Sequence, residues 1–248
     1  MIPNPIRKVL STFQNCEARA LLMGGQACVF YGGAEFSRDT DFAVLADADN
    51  LARITRATGL LQAKVIAVPP FEIDYLLRGH AIHFRCHHPE AAFMRVDVMA
   101  RMRGVAPFHE LWERRTTLEG EDGTRYELLS LPDLVAAKKT QRDKDWPMIR
   151  RLIEADVASA LRSDAPPSPA RIRFWLSEAR SPDMLRDLCR SHPAERDQVI
   201  QARPLLAWVD QEDALMSALQ TEESAERALD RAYWLPLRRE LEDLRRSS

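Results

Sequence analysis

The sequence predicts an α+β protein, a sheet-forming N-terminal part followed by a helical C-terminal region. Three observations carry this. The apolar run Ala20–Met23 ends in Gly24-Gly25-Gln26, a short apolar segment comes next (residues 27–31), and a second apolar run (42–45) begins directly after Arg38-Asp39-Thr40-Asp41. This pattern spells strand, glycine turn, short helix, loop, strand. Residues 93–99 form a β-propense run, and Thr116–Glu119 and residues 125–129 flank Gly120-Glu121-Asp122-Gly123 as a hairpin would. Beyond residue 169, apolar residues such as Ile172, Trp175, Leu176 and Ala179 recur at helical spacing, as do those of 184–189, 205–209 and 225–244.

Within the first element pair, Asp39 and Asp41 point to the same face of a strand, because strand side chains alternate with period two. Two adjacent carboxylates repel each other. A hard divalent cation between them relieves that repulsion, and an oxygen-only site of this kind suits Mg²⁺. Asp97, in Met94-Arg95-Val96-Asp97-Val98-Met99, is a carboxylate embedded in a strand pattern, which is costly unless something compensates it. It is the preferred third acid, with a salt bridge to Arg95 or Arg101 as the plain alternative. Asp74 is the competitor, but Pro69-Pro70 and the spacing of Phe71, Tyr75 and Arg78 predict a helix there.

Residues 108–112 read as a helical turn. Ser130-Leu131-Pro132-Asp133 starts a further helix, with Pro132 in its first turn and an acid at its positive end. That helix carries Lys138 and Lys139, on a solvated face or directed at a ligand. Next comes Arg142-Asp143-Lys144-Asp145, and Asp145 is well suited to cap the helix that Trp146-Pro147 begins. The segment 163–169, with three prolines, cannot continue a helix. It suggests two domains, residues 1–162 and 170–248.

The glycine turn, the spacer and the Asp-x-Asp strand together resemble the polymerase-β-like nucleotidyltransferase superfamily. The 138–145 region resembles the segment after the sheet in its minimal, abortive-infection-type branch. The resemblance covers roughly residues 18–160. It implies a mixed, twisted sheet with helices on one face. It also implies transfer of a nucleoside monophosphate from an NTP to an acceptor hydroxyl, with two Mg²⁺ ions as cofactors. By the same resemblance, Asp39, Asp41 and Asp97 are catalytic and hold metal. Gly24, Gly25, Gln26, Lys138 and Asp145 line the nucleotide site, and Lys144 borders it. Gly24 and Gly25 would let backbone N–H groups approach the triphosphate, helped by a helix starting near Gln26. The family usually has Ser or Thr where this chain has Gln26. The acceptor ranges in the family from aminoglycosides to RNA ends to protein hydroxyls, so RNA and a small protein partner both enter the expectations.

The 248 residues, 46% hydrophobic, suffice for one domain plus a smaller one. A net charge of −2, spread over both halves, gives no bulk signature of nucleic-acid binding, though Arg95, Arg101 and Arg103 can form a local basic patch. No apolar run is long enough to span a membrane, residues 1–10 lack a signal-peptide core, and Cys16, Cys28, Cys86 and Cys189 show no paired spacing. Reduced thiols and a cytoplasmic protein are the expectation. His80, His83, Cys86, His87 and His88 look metal-binding, but a strand over 80–87 splits them between two faces. An edge-strand or acceptor-contact role fits better than structural zinc. Against an enzyme stands a binding or regulatory protein of the same fold, such as a toxin–antitoxin component, a reading supported by the departure at Gln26.

Overall fold

The computed structural model describes residues 4–120 and 123–247. Helix α1 (Asn4–Asn15) is followed by β1 (Ala20–Met23), α2 (Gly24–Phe30), β2 (Asp39–Val44), α3 (Ala48–Leu60), β3 (Lys64–Val65) and α4 (Ile73–Arg78). Next come β4 (Ile82–Arg85), β5 (Arg95–Met99), α5 (Phe108–Glu113), β6 (Thr116–Glu119) and β7 (Arg125–Leu128). Helices α6 (Leu131–Lys138), α7 (Asp145–Leu161), α8 (Pro169–Glu178), α9 (Pro182–Ser191), α10 (Pro193–Val199) and α11 (Glu212–Ser247) complete the chain. The expected hairpin is β6–β7; its central residues Glu121 and Asp122 lie outside the described residues.

The strands form one seven-stranded mixed sheet in the order β3-β4-β5-β2-β1-β7-β6. Pairs β2–β5 and β1–β7 are parallel and the other neighbours antiparallel. The alternation expected of a sheet covered on one side is clear in its centre. Thr40, Phe42, Ile82, Phe84, Val96 and Val98 are buried, whereas Asp39, Asp41, His83, Arg95 and Asp97 stay partly open. Helix α1 covers the buried side. Its apolar residues Ile6, Val9, Leu10 and Phe13 recur at helical spacing, and Phe13 stacks on Phe42 with ring centroids 4.5 Å apart. Helix α3 is anchored beside them. Asp47 caps it by accepting from the Asn50 backbone N–H (2.7 Å), and the Asn50 amide donates to the carbonyls of Arg19 and Leu45.

The chain divides into two compact units. The first comprises Met1–Val29, Glu35–Ala137 and Tyr233–Ser248; the second comprises Phe30–Ala34 and Lys138–Ala232. The proline-rich segment 163–169 is therefore not the boundary. It links α7 to α8 inside the second unit, where the Arg171 guanidinium donates to Asp156 from across that loop at 2.6 and 3.0 Å. Prolines mark the end of a helix, not the end of a core. The C-terminal residues also depart from the expected separate helical domain. Helix α11 runs for 36 residues through Pro236, and its last part belongs to the first unit. There Glu240 receives hydrogen bonds from His80 (2.7 Å) and Arg78.

Candidate functional site

The register of the sheet builds the site. Parallel pairing of β2 and β5 sets Asp41 opposite Asp97 and Asp39 opposite Arg95. Antiparallel pairing of β4 and β5 sets His83 opposite Asp97. Residues directly opposite on neighbouring strands lie on the same face. The three aspartates, Arg95 and His83 thus share the open face of the sheet. On the other side of β2, Met23 of β1 is opposite Asp41, and Gly24 comes directly after it. Gly24 has φ +66°, and a Cβ there would overlap the Asp41 carboxylate. Both facts demand glycine. At Gly25 a Cβ would lie 2.7 Å from Ser37 Oγ, the end of a side chain that can rotate away.

The carboxylates are not equivalent. Arg95 Nε donates to Asp97 Oδ1 at 2.9 Å, and His83 Nδ1 lies 2.9 Å from the same oxygen. Arg95 Nη2 is also 3.0 Å from His83 Nδ1, and that nitrogen can serve only one partner at a time. Donation to the carboxylate is the assignment that gives Asp97 Oδ1 two donors. Burial pushes the Asp97 carboxyl up, but the hydrogen bonds from His83 and Arg95 more than offset this and hold it below the usual carboxylate range. Arg95 is held more firmly protonated by its hydrogen bond to Asp97 and by the charges of Asp97, Asp39 and Asp41. Asp39 meets Arg95 as its partner in the register, and Asp41 lies against Gly24. Among the described residues, no group of three or more His, Cys, Asp or Glu side chains is gathered to hold a metal ion. The backbone aligns the acids, and the Arg95 and His83 side chains keep Asp97 engaged.

Lys138 and Asp145 form a cluster of their own in the second unit. Lys138 is buried, so it is not on a solvated helix face; its Nζ donates to Asp145 Oδ1 at 3.1 Å. Asp145 Oδ2 accepts from Thr140 Oγ1 (2.6 Å) and Arg142 Nε (2.9 Å). Burial would raise the Asp145 carboxyl, yet the charge of Lys138 and the Thr140 hydrogen bond keep it below its usual value. Asp145 is the first residue of α7 and does not cap it; the capping position is Lys144, which makes no side-chain cap bond. The neighbouring Lys139 donates to Glu178 at 2.8 Å. This is a turn lock between α6 and α7, closed further by Trp146 Nε1 donating to the Thr140 carbonyl at 2.8 Å.

Two other expectations change. The helix after β1 begins at Gly24, two residues before Gln26, but is only seven residues long, so its dipole offers little to a phosphate. Gln26 is 2% exposed and its Oε1 is buried without a hydrogen-bond partner, so the side chain is not presented to a nucleotide. The histidine-rich stretch is dispersed. β4 is limited to Ile82–Arg85, His80 is fully buried against Glu240, His83 faces Asp97, and His88 accepts from the Glu90 N–H at 3.2 Å. Asp74 lies in α4, as its helical spacing predicts. All four cysteines are buried, and Cys28 Sγ donates to the Gly24 carbonyl at 3.1 Å.

The sequence offered Arg95 only as a salt-bridge partner of Asp97 or part of a basic patch, and His83 as an edge-strand or acceptor-contact residue, with structural zinc the less favoured reading. The salt bridge is present, and both residues belong to the aspartate face. The signal existed for Arg95, which is two residues from Asp97 on a strand and so on its face. His83 needed the β4–β5 register, which no local pattern carries. A separate cavity of about 350 Å³, lined by Phe13, Arg19, Phe42, Arg53, Trp112 and Tyr126 among others, opens elsewhere in the first unit. Phe42 alternates with Asp41 along β2, so this cavity lies on the sheet side away from the aspartates. No helix among the described residues is long and apolar enough to cross a membrane. No protein-family profile matches the chain, and no curated protein is similar enough to match it.

Proposed function

We propose that the protein is a Mg²⁺-dependent nucleotidyltransferase that moves a nucleoside monophosphate from an NTP to an acceptor hydroxyl. The observation that carries this reading is the register of Asp41 against Asp97, with Asp39 two residues away on the same open face. Beside these acids, Gly24 leaves the Asp41 carboxylate space that no other residue would leave. All three acids offer carboxylate oxygens, the ligand type that hard cations take, although their side chains as described are not gathered into a three-ligand group. Bound there, divalent cations supply charge stabilisation at the attacking and leaving oxygens.

The chain's own residues have separable roles. Asp39 and Asp41 supply the negative charge that attracts cations. Gly24 keeps the Asp41 carboxylate close to the β1–α2 junction, and Gly25 exposes backbone to a phosphate without an intervening Cβ. Asp97, opposite Asp41 on the same open face, would help orient the acceptor hydroxyl. The acceptor oxygen bonds to the α-phosphorus, the bond to pyrophosphate breaks, and the acceptor proton passes to solvent. Lys138 and Asp145 have no place among the nucleotide contacts, because each has spent its charge on the other.

A second reading is favoured by two observations: Gln26 is buried, and Asp97 is already engaged by Arg95 and His83. On that reading the protein binds nucleotide with little turnover, as a regulatory partner in a toxin–antitoxin pair would. Incubation with each α-labelled NTP, Mg²⁺ and total cellular RNA or lysate separates the two. Label in RNA, protein or a small molecule, lost in the Asp39→Asn variant, supports transfer. Binding of NTP without any labelled product supports the second reading, and neither binding nor label removes both.

A further inference from the structure

We infer that the cavity on the helix-covered side of the sheet is a second small-molecule site, built for a ligand with a flat apolar body and one anionic group, a carboxylate or a phosphate ester. It lies away from the aspartates, so the inference goes beyond the nucleotidyltransferase reading and does not depend on it.

The floor of the cavity is apolar. Ala20 of β1 and Phe42 of β2 stand on one side of the sheet, because Leu22, two residues from Ala20, is opposite Phe42. Tyr126 of β7 joins them, because Leu128 is opposite Leu22 in the parallel pair. Leu10 and Phe13 of α1 complete this floor, with Phe13 stacked on Phe42. All five side chains are buried, and they line an opening of about 350 Å³. Small-molecule sites have volumes of this order, and they too are mostly apolar with a few placed polar groups.

The rim supplies those groups. Three arginines (Arg19, Arg53, Arg125) and two glutamates (Glu17, Glu127) line the cavity, so its lining carries one net positive charge. Glu127 already accepts from Arg115 Nε at 2.8 Å and from the Thr117 hydroxyl. Among the described residues, neither Arg19 nor Arg53 forms an ion pair with a carboxylate. The Arg19 guanidinium lies over the Trp112 ring, 5.1 Å from its centroid, and Arg53 Nη1 donates to the Glu17 carbonyl at 3.1 Å. These contacts orient both side chains and leave most of their N–H donors for a ligand. A guanidinium is always charged, and its forked donors match the oxygens of a carboxylate or a phosphate. A neutral ligand would leave that fork unused, and a cation would be repelled by it.

The test uses the full chain and a set of probes that share one flat body: 2-naphthoate, 2-naphthyl phosphate and the neutral 2-naphthamide. Affinities are read by ligand-observed NMR titration, with melting temperatures recorded for every variant. One of the two anions should bind with a Kd of about a millimolar or tighter, and about tenfold tighter than the amide, the scale of one charge-assisted hydrogen bond. Whichever anion binds tighter identifies the headgroup. Arg19→Gln and Arg53→Gln should each weaken that anion by about tenfold and leave the amide within about twofold, a split that a merely structural arginine would not produce. Arg53→Lys, which keeps the charge but loses the fork, should recover part of the affinity; it decides the matter should Arg53→Gln not stay folded. Equal affinity for anion and amide overturns the inference, as does anion affinity unchanged in the folded arginine variants, or failure of every probe to bind. Each of these outcomes leaves the label-transfer test of the aspartate face untouched.

Discussion

Two clusters of acids and bases in this protein look alike in sequence and differ in physics. On the open sheet face, three carboxylates (Asp39, Asp41, Asp97) lie beside one arginine and one histidine, both bonded to Asp97. In the α6–α7 turn, the single carboxylate of Asp145 is surrounded by Lys138, Thr140 and Arg142. The first cluster sets three carboxylates on one face and stays partly open. The second centres on one buried carboxylate that takes hydrogen bonds from three partners. A buried cluster of this kind holds a turn together, whereas carboxylates set side by side on a half-open face repel one another, and a bound cation relieves such repulsion. The difference moved Lys138 and Asp145 out of the candidate site and kept the aspartates in it.

The largest test of this contrast is removal of Asp145. Asp145→Ala strands the buried Lys138 ammonium and should destabilise the protein by about 3–5 kcal/mol, read by urea or thermal unfolding. Loss of well under a kcal/mol would show that the cluster is not a lock. Asp39→Asn and Asp41→Asn should do the opposite: unfolding in metal-free buffer unchanged or slightly harder, with label transfer reduced by about a hundredfold or more. Destabilisation by either Asn variant would mean that these acids are structural after all.

The glycines sharpen the comparison further. Gly24→Ala places a Cβ into the Asp41 carboxylate at a positive φ, and should cost about 1–3 kcal/mol in folding as well as metal affinity. Gly25→Ala meets the Ser37 hydroxyl and, at 3.2 Å, the Ser37 Cβ, a milder clash than at Gly24, so its melting temperature should fall less than that of Gly24→Ala while NTP binding weakens by about tenfold, one lost charge-assisted hydrogen bond. A loss of folding stability in Gly25→Ala with no change in NTP affinity would reduce that position to a turn residue. The smallest effect concerns acid. Asp145 titrates below its ordinary value in the folded chain, so its contribution is complete above that value, 3.8, and is lost as pH falls through the lower folded pKa. Acid unfolding below about pH 4 should therefore be shallower in Asp145→Asn than in the unaltered protein. Parallel curves would contradict the lowered carboxyl.

Local pattern served well wherever the reason for a structure was itself local. Alternation placed Asp39 and Asp41 on one face, the apolar frame of Asp97 marked a strand, and the spacing around Asp74 marked a helix; β2, β5 and α4 are those elements. Pattern was blind to partners brought from a distance. The burial of Gln26, the pairing of Lys138 with Asp145, and the tethering of Asp97 by His83 each depend on which segment packs alongside. The proline-rich 163–169 segment misled for the same reason, since a break in a helix is written in the sequence and the edge of a core is not.

By itself, then, the chain's order of residues determined the strands, the glycine junction and the acids that face one way, because period-two alternation and the φ +66° that suits glycine are properties of a few consecutive residues. Only the tertiary structure decided that Asp41 and Asp97 are neighbours across a parallel pair, that Arg95 and His83 occupy the second of these acids, and that Lys138 is buried. Strand register and burial arise from contacts between segments far apart in the chain, and no local preference encodes them.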